Sequence, residues 1–514
     1  MTKMDHLRHS RCTPRRGLIA LLFACAHSGT IPPAPSPRFV EVESSHFLLL
    51  TELPRAAALE SVRGMESVLA ALFQGSWHGD ALPREKLRVL QLASAGELQQ
   101  FANPAMRALY QPADLFGDPM LVVSAEEGAS DGAVIKHELA HALHGAFLPR
   151  SPRWFFEGLA CYLETLQYDE ARDLYLIGAP SEHRLQYLRY HPETDYLKAL
   201  QLPTRDAVVL SGQEAYSFQS ASWLLVFHLV NERRRQVDDY IARLARREDP
   251  QAAFDAAFEG LRPEELAEET ARDLQTVPPH LDPAESRVRY PVRELRIAPW
   301  SGQAKAREVP ASDVAALRAE LYFLSPGLPR AKAHLAESRR ALEEALRLDP
   351  MHPLALAVEL ALSESESAAP PVERIRAAAD HRPTDYRAQM LLAFAVGRDQ
   401  PEERRAALVR AAELAPENPG VLNALAWHDL THGRAAQALS MAQKAAELAP
   451  GRAAVLDTYA TALAKASRCA DAVRVEERAV ELTAEHASGE LRRRLLARLD
   501  SMRAGCADVP LEDE

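Results

Sequence analysis

Two histidines and a glutamate lie on one predicted helical turn near residue 140. The segment His137-Glu138-Leu139-Ala140-His141 places the two imidazoles four residues apart, and positions i and i+4 share one face of an α-helix. Both imidazoles can therefore bind one metal ion. Glu138 lies about 100° further round the helix, where it can reach a water molecule beside the ion. The spacing predicts a metal site for hydrolytic chemistry.

A second glutamate is placed to complete the set of ligands. Glu157 follows His141 by 16 positions. Gly145 is predicted to end the first helix, and Ser151-Pro152 is predicted to begin the next one, with Ser151 as its cap. The turn between them is short enough to fold the second helix back on the first. We therefore expect Glu157 to reach the same ion.

Two histidines and one glutamate leave one tetrahedral position open for water. A catalytic zinc site keeps such an open position, whereas a structural site does not. The predicted metal ligands are therefore His137, His141 and Glu157, which hold one Zn²⁺ ion. Glu138 is the predicted catalytic base, which accepts a proton from the attacking water and passes it to the leaving group. The alternative is an amphipathic helix whose histidines and glutamate are merely solvated.

The second helix carries a longer motif that weighs against this alternative. The motif reads Trp-x-x-Glu-Gly-x-Ala-x-x-x-Glu, and its members are Trp154, Glu157, Gly158, Ala160 and Glu164. It resembles the third-ligand helix of gluzincin metallopeptidases, and is most similar to the peptidase MA-like family. The resemblance covers about residues 38–260. Within this region the strand patterns come first and the helical patterns follow after Asp131, an order that predicts an α+β catalytic domain in which a small mixed sheet is followed by a helical lobe.

Some positions depart from the gluzincin pattern or extend it. Thermolysin-like enzymes carry an aspartate four residues after the third ligand, where this chain has Cys161. Glu164 lies on the same helix face as Glu157 and is predicted to orient a zinc histidine, with a surface glutamate as the open alternative.

The resemblance also suggests Tyr216 as a stabiliser of the oxyanion, and simple aromatic packing is the alternative. The strand predicted over 120–124 is expected to be the sheet edge that pairs with a peptide substrate.

The C-terminal part of the chain repeats with a period of 34 residues. Leu414-Ala415-Pro416 recurs as Leu448-Ala449-Pro450, and Ala438 recurs as Ala472. A helix-turn-helix period of this length, with small residues where helices cross, is typical of tetratricopeptide repeats. We expect four to five units over 312–485, forming an all-α solenoid whose groove binds a protein or peptide partner.

The remaining segments complete the predicted organisation of a mostly helical chain. The catalytic domain is expected to span 38–277, and 278–311 is predicted to be a linker because it contains prolines and arginines without clear periodicity. A C-terminal helix and an acidic tail are expected over 486–514.

The N-terminus has the pattern of an export signal. Arginines precede the short apolar run Leu18–Cys25, so residues 1–26 are predicted to be a signal peptide, followed by a disordered tether over 27–37. The end of the run resembles a lipobox, which would make Cys25 a lipid anchor, and ordinary signal-peptidase cleavage is the alternative. We expect an exported protein of the cell envelope, either periplasmic or an outer-membrane lipoprotein.

Charge and cysteine content limit the remaining possibilities. The chain carries 60 basic and 72 acidic residues, for a net charge of −12, which argues against nucleic acid as a partner. In an oxidising compartment Cys469 and Cys506 could pair, with free thiols as the alternative.

Three functional readings remain open from the sequence. The preferred one is an exported zinc metallopeptidase that hydrolyses peptide bonds and holds partners through its repeats. The second is a repeat scaffold lipoprotein whose zinc domain is inactive or structural. The third is a zinc hydrolase of a non-peptide amide or ester.

Overall fold

A computed structural model describes most of the chain beyond residue 38. The described residues are 39–76, 82, 86–101, 108–111, 115–116, 118–127, 132–148, 150–203, 210, 212–276, 292–298, 300–325, 331–397, 400–483, 489–506 and 509–511. The predicted signal peptide and tether lie outside these residues. Among the described helices, none is both long and apolar enough to cross a membrane.

Strands and helices are mixed in the first half of the chain, and the second half is almost wholly helical. The strands are β1 (Val40–Glu43), β2 (Phe47–Thr51), β3 (Leu87–Leu92), β4 (Ala108–Gln111), β5 (Met120–Ser124), β6 (Gln167–Asp169), β7 (Leu174–Ile177), β8 (Arg293–Leu295) and β9 (Lys305–Glu308). The helices of the first half are α1 (Arg55–Ser76), α2 (Ala95–Leu98), α3 (Ala133–Phe147), α4 (Arg153–Leu163), α5 (Glu182–Tyr190), α6 (Tyr196–Gln201), α7 (Gly212–Glu232), α8 (Arg234–Ala245), α9 (Pro250–Ala257) and α10 (Pro263–Thr276).

Six strands form one mixed sheet in the order β4-β5-β3-β2-β1-β9. Strands β2, β3 and β5 run parallel, while β1, β4 and β9 are antiparallel to their neighbours. The mixed sheet confirms the predicted mixture of strands and helices. The prediction that 120–124 is an edge strand is wrong, because β5 lies between β3 and β4 and pairs with β4 from Met120 to Val123. Among the described strands, β4 forms the edge at this end of the sheet.

The sheet lies between two helical layers, which explains why β5 is apolar at nearly every position. Leu121 and Val123 face a core shared with α1, α3, α4 and α7. Met120 and Val122 face the opposite core, which is shared with the C-terminal helices. Because successive side chains of a strand point to opposite faces, a strand covered on both sides reads as a continuous apolar run.

The C-terminal helices, which we call the helical array, form a series of pairs. They are α11 (Ala311–Phe323), α12 (Ala331–Leu348), α13 (Pro353–Ser365), α14 (Val372–His381), α15 (Tyr386–Ala395), α16 (Pro401–Leu414), α17 (Pro419–Thr431), α18 (Ala435–Leu448), α19 (Ala453–Lys465), α20 (Cys469–Leu482) and the final helix α21 (Gly489–Arg503). Consecutive helices pack on each other, and the first helices of neighbouring pairs also touch at α11–α13, α13–α15 and α17–α19. Helices α17 and α18 recur 34 residues later as α19 and α20.

Small residues and a disulfide fit this packing. Ala438 and Ala472 are completely buried, as expected where two helices approach closely.

Cys469 and Cys506 form a disulfide with a Cα–Cα distance of 5.8 Å, which links the start of α20 to the segment after α21. The pairing alternative is therefore the one that the structure adopts.

The segment predicted as a linker, 278–311, contributes two strands instead. Strand β9 pairs with β1, with Val40 opposite Glu308, and β8 pairs with β7 in a small three-stranded sheet. These strands are short, and they are polar because they form sheet edges, so apolar periodicity did not reveal them. The described residues of this segment are part of the folded unit.

The ends of the two helices at the candidate site differ slightly from the prediction. Helix α3 passes through Gly145 and ends at Phe147, and the Leu148 N–H closes the last turn on the carbonyl of His144. Pro152, not Ser151, is the N-terminal cap of α4. The short turn between the helices was predicted correctly.

Candidate metal centre

Helices α3 and α4 bring the three predicted ligands together. Glu157 Oε2 lies 3.6 Å from His137 Nε2, and Glu157 Oε1 lies 3.7 Å from His141 Nε2. The two imidazole rings meet edge to face with centroids 4.5 Å apart. The ligand atoms of all three residues lie within 4.8 Å of one another. The three side chains thus converge on one point at the helix pair.

The spacing of these atoms fits a tetrahedral zinc ion. Zinc binds nitrogen and carboxylate oxygen at about 2.0–2.1 Å, which separates neighbouring tetrahedral ligands by about 3.4 Å. The two nitrogen–oxygen distances of 3.6 and 3.7 Å exceed this separation by only a few tenths of an ångström. The donor set of two imidazoles and one carboxylate is also one that zinc accepts.

Glu164 holds the other nitrogen of His137. Its Oε2 lies 3.0 Å from His137 Nδ1, and its side chain is only 7% exposed, so it is not a surface glutamate. A proton on Nδ1 that is donated to this carboxylate leaves Nε2 with a free lone pair. Glu164 therefore selects the tautomer in which His137 presents Nε2 to the point between the ligands.

Arg184, which the sequence analysis missed, fixes Glu164. It donates from Nε to Oε1 at 2.9 Å and from Nη2 to Oε2 at 3.0 Å, the bidentate geometry that guanidinium and carboxylate favour. Burial raises the pKa of Glu164, but His137, His183 and Arg184 outweigh burial and hold that pKa below its usual value. The carboxylate is thus charged and oriented from two sides.

The third ligand is surrounded by donors. Arg153 Nη2 lies 2.6 Å from Glu157 Oε1, and Gln219 Nε2 donates to Glu157 Oε2 at 3.1 Å. Burial raises the pKa of Glu157, yet His141, His137 and Arg153 hold it well below its usual range. The Glu157 side chain is therefore ionised at neutral pH, as its predicted role as a metal ligand requires. Arg153 was detectable only as a cation four residues before Glu157, on the same helix face.

A proton on His137 Nε2 would compete with a metal ion for that nitrogen. Burial lowers the pKa of His137, but Cys161, Glu157 and Glu164 outweigh burial and raise it well above its usual value. The Cys161 sulfur lies 3.9 Å from His137 Nδ1, so Glu164 is the nearer of the two acceptors. Because a metal ion binds only unprotonated Nε2, we expect metal binding to displace a proton.

Aromatic packing orients the second histidine. His141 stacks on Phe156, with ring centroids 4.3 Å apart and an interplanar angle of 9°. Phe156 also contacts His144 at 4.7 Å, and the Nε2 of this buried histidine lies 3.4 Å from Ser151 Oγ. His144 is thus a packed neighbour of the ligands, and its ring supports the phenylalanine that positions His141.

Gly158 follows the third ligand because α7 passes very close to α4 there. A Cβ atom at Gly158 would collide with the backbone carbonyl of Ser222 and come within 2.7 Å of Val226 Cγ2. The close approach of α7 brings Gln219 into contact with Glu157. The glycine of the motif therefore has a steric cause, which the sequence alone did not reveal.

The structure gives Tyr216 a partner other than the ligand atoms. Its hydroxyl lies 2.8 Å from His183 Nδ1, and its ring packs edge-on against Tyr187 at 4.7 Å. The Nε2 atom of the same histidine lies 3.6 Å from Glu164 Oε1. These contacts place the phenol hydroxyl beside His183, which faces the Glu164 side of His137. A role for Tyr216 in stabilising the oxyanion stays a prediction.

Glu138 lies next to His137 on α3 and is half-buried. Burial lowers the pKa of His141, while the carboxylates of Glu157 and Glu138 act in the opposite direction. Glu138 therefore adds negative charge near His141, and its role as the base stays a prediction.

Comparisons with known proteins add nothing to this assignment. No protein-family model matches this chain, and no curated protein matches it. The described fold is a mixed sheet between helical layers, and α3 and α4 bring two partly buried histidines together with a buried glutamate. The resemblance to gluzincins rests on the motif residues alone and stays a prediction.

Proposed function

We propose that this protein is a zinc-dependent metallopeptidase of the gluzincin type. The observation that carries the proposal is the convergence of His137 Nε2, His141 Nε2 and a Glu157 carboxylate oxygen within 4.8 Å of one another. In addition, the Glu164 carboxylate lies within hydrogen-bond distance of His137 Nδ1, the ring nitrogen that would not bind the ion. Such a contact is expected for a histidine that is oriented as a metal ligand. Similarity to the peptidase MA-like family is part of the same proposal.

The chemistry divides between the ion and the protein. A bound zinc ion would polarise the substrate carbonyl and make water acidic enough to lose a proton near neutral pH. Glu138 accepts that proton and returns it to the leaving amine. His137 is held in one tautomer by Glu164, and His141 is held in place by Phe156. The protein thus orients the reacting groups before substrate arrives.

The substrate is proposed to be an extended peptide that pairs with β4. Among the described strands it pairs only with β5, so its other side is the edge of the sheet. Its outer backbone groups can take up a further strand, a common mode of peptide binding. The neighbouring strand β5 is followed by the short 3₁₀ turn Ala125–Glu127 and is the last strand before α3, the helix that carries the two histidines.

The helical array is proposed to be a tetratricopeptide array, since helices α17 and α18 recur 34 residues later as α19 and α20 and bury Ala438 and Ala472. Export to the cell envelope, with Cys25 as a possible site of lipid attachment, remains a proposal based on the N-terminal pattern. The Cys469–Cys506 disulfide is compatible with an oxidising compartment.

Replacement of Glu138 by glutamine tests the proposed mechanism. The variant should keep its zinc and lose cleavage of a peptide library by about 10²–10⁴-fold, because the amide cannot accept the proton. Cleavage by the wild type should stop with a chelator and return with zinc. Glu182→Gln, which neutralises an exposed glutamate on α5, is the matched control and should cleave normally.

The outcomes separate the three readings. Full cleavage by Glu138→Gln contradicts the proposed base. Hydrolysis of simple amides or esters without any peptide cleavage supports the non-peptide hydrolase. A wild-type protein that binds zinc without hydrolysing any of these substrates supports the scaffold.

A further inference from the structure

The short turn between α3 and α4 is held by an arginine that is not part of the metal-site motif. Leu148 and residues 150–152 are the described part of this turn. Arg150 Nη1 donates to the Arg247 carbonyl at 2.9 Å, and its Nη2 lies 4.0 Å from Asp249 Oδ2. Asp249 caps the start of α9. Arg150 therefore fastens the turn to the connection between α8 and α9.

The same guanidinium also reaches the helical array. Arg150 Nε lies 3.6 Å from Glu481 Oε1, and the two side chains are 32% and 20% exposed. Glu481 lies in the last turn of α20. Burial raises the pKa of Glu481, whereas the charges of Arg150 and Arg247 act in the opposite direction. The array thus places a partly buried carboxylate against two arginines from the first half of the chain.

Comparison of equivalent positions in the array shows that this contact is particular to its last helix pair. Glu413, Glu447 and Glu481 each precede the final leucine of their helices, α16, α18 and α20. Glu413 and Glu447 are exposed, as glutamates usually are, while Glu481 is partly covered. The cover of Glu481 therefore comes from Arg150 and its surroundings, and not from the packing that the helix pairs share.

A continuous series of contacts leads from the turn to the second histidine. Ser151 Oγ lies 3.4 Å from His144 Nε2. His144 contacts Phe156, with ring centroids 4.7 Å apart, and Phe156 stacks on His141. Glu157 directly follows Phe156 on α4. The position of the turn therefore bears on where the two helices place His141 and Glu157.

We propose that Arg150 is a positioning residue through which the helical array holds the ligands of the metal centre in place. With Glu481 beside Arg150, the turn is fixed both by the α8–α9 connection and by the array, so α3 and α4 are ordered before an ion binds. Without this contact, the ligands must be ordered when the ion binds, which lowers the affinity. The inference rests on the proposed function, because it concerns the same metal site.

A double-mutant cycle on zinc affinity tests the proposal in the full-length protein. Glu481→Gln should lower the affinity by about 3–10-fold, the range in which residues remote from a ligand typically act. Arg150→Met should lower it at least as much, because this variant also loses the hydrogen bond to Arg247. The combined variant should lose no more than Arg150→Met alone, since Glu481 acts through Arg150.

The affinity is measured by competition with a chromophoric chelator, and the free energy of unfolding of each zinc-free variant is measured in urea. Glu447→Gln is the matched control. It neutralises the exposed glutamate at the equivalent position of α18 and should bind zinc like the wild type.

Hydrogen exchange of the zinc-free proteins gives a second readout. Phe155 and Phe156 donate their N–H groups to the Pro152 carbonyl, so their exchange reports on the first turn of α4. Exchange at these two amides should be faster in Glu481→Gln than in the wild type, because the turn before α4 is held less firmly. The control Glu447→Gln should exchange like the wild type.

The outcomes separate this inference from the proposed function. Unchanged zinc affinity in Glu481→Gln overturns the inference, even if the variant is less stable, because the contact then only stabilises the fold. Additive losses in the combined variant overturn it as well, and so does unchanged exchange at Phe155 and Phe156. A folded wild type that binds no zinc contradicts the proposed function itself, and the inference with it.

Discussion

The two ring nitrogens of His137 face different carboxylates. Nε2 faces Glu157 and the point shared with His141, while Nδ1 lies 3.0 Å from Glu164. Arg184 holds that carboxylate with two hydrogen bonds. The ligand geometry therefore depends on a chain of contacts that extends from α3 through α4 to α5.

Glu164→Gln should lower zinc affinity by about 10–100-fold, as loss of a partner to a ligating histidine typically does. A neutral amide does not increase the basicity of the imidazole, and it leaves Arg184 without its carboxylate. Competition with a chromophoric chelator measures the change, and Glu182→Gln serves as the control. An unchanged affinity would show that Glu164 only stabilises the fold.

The convergence of His137, His141 and Glu157 could be predicted from the sequence, and the residues that contact them could not, for a physical reason. Histidines at i and i+4 share a helix face whatever the tertiary structure, so His137 and His141 could be paired from sequence. Arg184 and Gln219 come from α5 and α7, and only tertiary packing brings them to Glu164 and Glu157. Local spacing carries no information about such contacts.

At the scale of elements, the crossing of α4 and α7 sets the position of the third ligand. Gly158→Ala should destabilise the protein by about 1–3 kcal/mol, the usual cost of overpacking, since its Cβ would collide with the backbone of Ser222. Urea unfolding measures the change. Gly145 on α3 has nothing within 4 Å of an added Cβ, so Gly145→Ala should stabilise by about 0.5–1 kcal/mol. Equal effects of the two substitutions would contradict a steric role for Gly158.

His228 links α7 to α10. Its Nδ1 lies 2.6 Å from Asp273 Oδ2, and its Nε2 lies 3.2 Å from Glu269 Oε2. Arg233 donates to the same Glu269 carboxylate. Burial lowers the pKa of His228, but the two carboxylates outweigh burial and raise that pKa above its usual value. An imidazolium between two carboxylates satisfies both ring nitrogens.

The stabilisation by His228 should depend on pH. The pKa of His228 is higher in the folded chain than in the unfolded chain. The stabilisation is therefore fully present below the pKa of the unfolded chain, about 6.5, and is lost as the pH rises through the pKa of the folded chain. His228→Gln should remove this dependence. The measurement is the difference in unfolding free energy between the two proteins, from urea titrations over that pH range. A difference that does not shrink with rising pH would contradict the assignment.

At the scale of the whole molecule, the array packs on the sheet. The sequence predicted a solenoid separated from the catalytic domain by a linker. Its repeat period of 34 residues could be read from the sequence because each helix pair packs on its own neighbours in the same way. The contact between the array and the sheet could not be predicted. The apolar run of β5 indicates that both of its faces are buried, but it does not indicate which helices cover them. The polar edge strand β9 likewise has no apolar pattern to detect.

The zinc content of purified full-length protein tests the central claim most directly. Elemental analysis should find one zinc ion per chain in the wild type, and none in His141→Ala or Glu157→Ala after the same dialysis. His191→Ala removes a histidine that pairs with Glu193 and should keep its zinc. A folded wild-type protein that lacks stoichiometric zinc and cannot be reloaded with it would contradict the account.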